Sequence, residues 1–262
     1  MNILDKIVAH KRKEVEQDKR ERSVAELERS DFFQRQTHSF REFLLAPDRT
    51  GIIAEFKRRS PSKGIINDAV LVKNVTKAYA EAGASALSVL TDSNFFMGDR
   101  GDLLEARGAN DIPVLRKDFM IDEYQIIEAK SLGADIVLLI AAILSPTEIK
   151  KMAALAKALG LNVLLEVHNL EELKRSLDVN LDAIGVNNRN LNDFTVSVET
   201  SYQLGEYIPP EFLKISESAI SNTDTIKQLK KAGFNGFLIG ENFMKQPEPG
   251  QAMKDFVKKL NA

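Results

Sequence analysis

Two lysines and two glutamates stand at the ends of short apolar runs, where neighbouring acids and bases can pass protons. Glu55 and Lys57 close the run that opens "IIAEFKRRSPSKG", Lys117 closes the run in "PVLRKDF", and Glu166 closes the run in "LLEVH". Successive strand side chains point to opposite faces, so Glu55 and Lys57, two residues apart, project together. A charge network that merely filled a core would stabilise little, because each buried ion must be desolvated. The same groups suit general acid-base work, since burial and neighbours drive their pKa values apart.

A second set has the composition of a phosphate site. "RRSPSKG" brings Ser60, further hydroxyls, cations and loop amides after the first run, and "SESAISN" and "IGEN" follow the last two runs. Ser218, Ala219, Gly240 and Glu241 fall in these two segments. Serine and glycine populate any turn, so each stretch alone says little. Together they point to a phosphorylated small-molecule substrate. Phe95 and Phe96 in "NFFMGDRGD" are either core residues or an aromatic wall beside the same loops. Asn187 and Arg189 in "GVNNRN" close the set.

Something must hold these residues at one place. The chain repeats a grammar of amphipathic stretch, glycine and apolar run, as in "YAEAGASALSVL", "EAKSLGADIVLLI", "AKALGLNVLLEV" and "LKKAGFNGFLIG". Glycine after a helix takes the left-handed conformation that ends it, and a continuous apolar run reads as a strand buried on both faces. Such runs occupy residues 52–56, 86–90, 113–116, 136–140, 163–167, 183–186, 212–215 and 236–239, with room for a helix between neighbours. The expected fold is α/β, a closed (β/α)8 TIM barrel over 49–262, with an open doubly wound sheet as the alternative. No GxGxxG follows the first run, which counts against a dinucleotide site. Active sites of such barrels sit at the C-terminal strand ends, where the polar residues above lie. Residues 1–48 are surplus to a barrel and read as a helical extension capping its mouth. In it, "HKRKEVEQDKRER" is read as a solvated face.

Composition narrows the partners. The 262 residues carry a formal charge of −2, which excludes a field that would gather nucleic acid. No apolar stretch approaches the ~20 residues of a membrane span or the form of a signal peptide. The chain has no cysteine, so neither disulfides nor thiol chemistry arise, and a cytoplasmic location is expected. His10, His38 and His168 share no metal-ligand spacing. A monomer is expected, with a dimer as the alternative.

Taken in order, "IIAEFKRRSPSKG", "LSVLTDSNFFMG", "PVLRKDFMID", "LLEVHNLEEL", "IGVNNRNL", "ISESAI" and "FLIGENFM" resemble indole-3-glycerol-phosphate synthase of tryptophan biosynthesis. The resemblance runs from about Ile52 to the C-terminus. It implies a barrel enzyme without metal or other cofactor that turns carboxyphenylamino-deoxyribulose 5-phosphate into indole-3-glycerol phosphate, carbon dioxide and water. It implies that Lys117 is the general acid for ring closure. Glu55, Lys57 and Glu166 would share the later proton transfers, and Asn187 and Arg189 would orient the substrate. By the same resemblance Ser60 holds substrate, Phe96 lines the anthranilate pocket, and Ser218, Ala219, Gly240 and Glu241 take the phosphate. Ala219 departs from the glycine that family often has there; a methyl is harmless only if the backbone avoids positive φ. Two other readings are a phosphosugar isomerase and a non-catalytic phosphometabolite-binding barrel. Lys57, Lys117 and the aromatic loop argue against the first, and the presence of Lys117, Glu166 and Glu55 argues against the second.

Overall fold

The apolar runs form parallel strands because branched side chains on both faces need cover on both sides. In the computed structural model, which describes residues 3–190 and 194–262, they are β1 (Ile52–Phe56), β2 (Ala86–Leu90), β3 (Val114–Lys117), β4 (Ile136–Ile140), β5 (Asn162–Val167), β6 (Ala183–Asn187), β7 (Leu213–Glu217) and β8 (Gly236–Ile239). Each strand pairs in parallel with its neighbours in sequence, and β1 pairs with both β2 and β8, which closes a barrel. The outward row, including Ile52, Ala54 and Phe56, packs under the surrounding helices. The inward row, including Ile53, Leu115, Leu164 and Ile215, fills the barrel.

Helices start and stop where side-chain chemistry predicts. Ser145 and Glu148 form a reciprocal capping box on the helix Pro146–Ala158, and Asp122 caps Glu123–Ser131. The latter two helices end into Gly133 and Gly160, at φ of +85° and +75°. That backbone suits glycine and turns the chain into the next strand.

The segment ahead of β1 touches both ends of the barrel. It holds α1 (Ile3–Glu21), α2 (Val24–Leu27) and α3 (Phe40–Leu45). Helix α1 lies at the C-terminal strand ends, where the fully buried Lys11 meets Asp92 at 3.0 Å and Asp118 at 2.9 Å. Leu27 of α2 packs beside Val15 and Tyr124 on the flank. At the opposite end Asn162 Nδ2 donates to the His38 carbonyl at 3.0 Å, and Phe40 and Leu44 of α3 enter the inner core with Ile53 and Ile215. Lys11 comes from the run read as a solvated face; a charge pattern does not disclose the carboxylates that receive it. Among the described residues, no helix is long and apolar enough to cross a membrane.

Candidate active site

Along β1, β3, β5 and β7 the inward column passes from apolar to polar toward the C-terminal end, whereas on β4 it stays apolar through Ile136, Leu138 and Ile140. Ile53 precedes Glu55 on β1, Leu115 precedes Lys117 on β3, Leu164 precedes Glu166 on β5, and Ile215 precedes Glu217 on β7. Alternation with a period of two therefore delivers these charges to one face. On β6 the same column holds Gly185 and Asn187, and beyond Leu238 of β8 it holds Gly240. A Cβ at Gly185 would strike the Glu217 carboxylate, and one at Gly240 would strike Glu55. The two glycines make room for two acids.

All of these polar ends line one cavity of about 710 Å³. Lys57, Ser60, Phe96, Arg189, Ser218, Ala219 and Glu241 line it too, so it gathers every site residue expected from the sequence. Ile3, Leu4 and Ile7 of α1 form part of its wall.

Charge organises the cavity floor. Lys117 Nζ lies 2.9 Å from Glu166 Oε2 and 2.8 Å from Glu217 Oε2. Lys57 Nζ lies 2.6 Å from Glu55 Oε1. Asn187 Nδ2 donates to Glu166 Oε1 at 3.2 Å, and Asn187 Oδ1 accepts from Ser218 Oγ and from the Arg189 amide, each at 3.0 Å. Burial would push the Lys117 ammonium down, but Glu166, Glu217 and Glu55 outweigh it and hold it well above the usual lysine range. Burial likewise works against the Glu166 carboxylate, yet Lys117 and His168 hold it well below its ordinary value. Glu217 goes the other way, because burial and the Glu166 and Glu55 charges exceed the pull of Lys117. Two carboxyls beside one ammonium thus have opposite tendencies, which is the pattern of an acid-base pair.

The rest of the cavity is built for shape and anion binding. The Phe96 ring stands 5.9 Å from that of Phe119, making an aromatic side wall, while Phe95 packs on His10 at 5.8 Å. After β7, Ser218 and Ala219 both take positive φ, +66° and +58°. The backbone at Ala219 does need the left-handed region, so the condition under which its methyl would be harmless is not met. Glu241 sits 3.6 Å from Lys63 and 3.8 Å from Arg189, beside the first residue after β8. Among the described residues no cluster of three or more His, Asp or Glu side chains is placed to hold a metal ion.

A family model described as indole-3-glycerol phosphate synthase matches residues 4–256. The chain belongs to that family. It is 46% identical over 259 residues to the indole-3-glycerol phosphate synthase of Bacteroides thetaiotaomicron, covering 99% of each chain. It is 43% identical to that of Lachnospira eligens, covering 99% of this chain and 98% of the relative. Among solved structures, a chain of the tryptophan synthase a2b2 complex from Pyrococcus furiosus matches with a TM-score of 0.61 at 17% identity, over 81% of this chain and 98% of that one. At that identity the likeness shows the barrel fold alone.

For a member of the synthase family, the acid-base set expected from sequence omits one charge of the floor, Glu217, which counts there only among the polar residues that follow the seventh run. Glu217 lies in "ISESAI", but the apolar run stops at Ile215, whereas β7 continues to Glu217. The signal was present: Leu213, Ile215 and Glu217 alternate, so Glu217 shares the inward face. His168, two residues beyond Glu166 and 3.3 Å from it, carries no such signal, because its spacing to the other histidines matches no metal site.

Proposed function

We propose that this chain catalyses the synthase reaction of its family with Lys117 as general acid. Lys117 protonates the ketone oxygen of the substrate as the anthranilate ring carbon closes on it. The observation that carries this is the Lys117 ammonium held at 2.8–2.9 Å by two carboxylates of opposite tendency, at the base of a cavity with an aromatic wall. An ammonium gripped by two anions is a reluctant donor. A proton on Glu217 removes one of them and eases the release. Ring closure is followed by loss of the carboxylate as carbon dioxide, which returns the electron pair to the ring system. The hydroxyl then departs as water, and Glu166, Lys57 and Glu55 divide the proton donation and removal that this needs.

Substrate is oriented from the sides. Asn187 and Arg189 take the carboxylate or sugar hydroxyls, Ser60 holds the substrate from the first loop, and Phe96 stacks along the anthranilate ring. Ser218, Ala219, Gly240 and Glu241 receive the phosphate, mainly through backbone amides of the last two loops. Of the extension expected to cap the mouth, α1 takes that role, supported by the place of Ile3, Leu4 and Ile7 in the cavity wall, while α3 closes the opposite end of the barrel. The chain lines the cavity with its own residues, which supports a monomer, and its lack of cysteine fits a reducing cytoplasm.

The test is steady-state formation of indole-3-glycerol phosphate from synthetic substrate by the wild type and by Lys117→Ala. We expect turnover in the former and a fall of at least about 10² in the latter. No product from folded wild type would sink the proposal. The chain has no tryptophan, so its own absorbance does not mask the indole product.

A further inference from the structure

We infer that His168 is a positioning residue whose imidazolium keeps Glu166 as the ionised member of the carboxylate pair around Lys117 and leaves the exchangeable proton to Glu217. The inference rests on the reading of Lys117 and Glu166 as reacting groups. Its geometry does not.

His168 follows β5, in the same inward column as Glu166, and its side chain is 10% exposed. Its two ring nitrogens face carboxylates: Nε2 lies 3.3 Å from Glu166 Oε1, and Nδ1 lies 3.1 Å from Glu172 Oε2. A neutral imidazole must turn a lone pair on one of its nitrogens. Here that lone pair would meet a carboxylate oxygen on either side, so the site selects the doubly protonated ring. Glu172 is fixed in place, since its Oε2 accepts from the His168 amide at 2.8 Å and its Oε1 from Asn169 Nδ2 at 2.8 Å. Nε2 faces Glu166 Oε1 at 3.3 Å without the geometry of a directed hydrogen bond, and it acts on that carboxylate through both the polar contact and the ring's charge.

The two carboxylates around Lys117 are surrounded unequally. Glu166 has Lys117 on Oε2, and Asn187 and His168 on Oε1. Glu217 has Lys117 on Oε2, and its Oε1 has no hydrogen-bond partner. A proton shared by the pair goes to the poorer-solvated member. The charged groups facing the ring are Glu166 of its own strand and Glu172 of the helix Leu170–Ser176; behind Glu166 stand Lys117 of β3, Glu217 of β7 and Glu55 of β1. Burial would lower the His168 pKa, but Glu166 and Glu172 carry it up to about 9.

The chain holds 3 histidines, so an NMR titration separates them. In the wild type the His168 signal should titrate near the alkaline value above, and in Glu166→Gln its midpoint should fall by about one unit or more. A second arm compares His168→Gln, which keeps a donor near Nε2 but no charge, with wild type. Its kcat should fall about tenfold at neutral pH with KM within about threefold, and the acid limb of kcat should move up by about one unit, because Glu166 without its cation takes a proton more readily. A His168 signal with an ordinary midpoint that ignores Glu166→Gln would overturn the inference, as would a Gln variant with the wild-type acid limb. The titration arm reads the coupling without turnover. An inactive wild type would thus remove the synthase reading while the Glu166–His168 coupling is judged separately.

Discussion

Ala219 holds φ at +58°, a conformation that costs an L-residue with a Cβ roughly 1–2 kcal/mol. Glycine removes that cost but adds freedom to the unfolded chain, which offsets part of the gain. Ala219→Gly should therefore raise unfolding free energy by about 0.5–1 kcal/mol with turnover nearly unchanged. Paired urea denaturation and steady-state assays check both halves, and a destabilised variant would show that the methyl makes contacts worth more than the strain. Residue identity made much of this site legible: Glu55, Lys57, Lys117 and Glu166 are recognisable as strand-end charges from the runs they close. The direction in which Lys117 titrates was not legible. It depends on Glu217, whose carboxyl reaches Lys117 only because Gly185 on the adjacent strand leaves space.

At the scale of elements, the extension is fastened by a buried ion far from the cavity. Asp135, fully buried at the N-terminal end of β4, accepts from Arg35 at 2.5 Å, from Arg107 at 2.8 Å, and from the His38 and Val114 amides. Removing one partner from such a group leaves the others uncompensated. Asp135→Asn should lower unfolding free energy by about 3–5 kcal/mol while kcat of the folded fraction stays within about twofold, since Lys117 is at the other end of the barrel. A loss under about 1 kcal/mol would mean that the arginines find water or other acceptors. Strand and helix positions were readable from apolar runs and glycines. The path of the extension was not, because Arg35, His38 and Phe40 find partners about a hundred residues away or more.

Across the whole molecule, a formal charge of −2 hides strongly coupled interior groups. His168 has a folded pKa of about 9 against an ordinary 6.5, so the folded chain keeps a proton that the unfolded chain releases. Its contribution to stability is complete below pH 6.5 and is lost as pH rises through about 9. Glu166 and Asp118 are depressed, against their burial, chiefly by Lys117 and Lys11 respectively, so their contributions are lost as pH falls through the acid range. Urea midpoints should decline between neutral and mildly alkaline pH, and His168→Gln should flatten that decline. An unchanged slope in the variant would place the alkaline loss elsewhere.

The order of strands, the polar residues at their ends and the family resemblance follow from local pattern. Periodicity, glycine placement and residue type are properties of neighbours in the chain, and each survives without knowledge of the fold. The pairing of Lys117 with Glu217, the burial of Lys11 between Asp92 and Asp118, and the imidazole between Glu166 and Glu172 arise only once the barrel closes. Charge interactions depend on distance in space and on the water removed around them, and neither quantity is written in the spacing of residues along a chain.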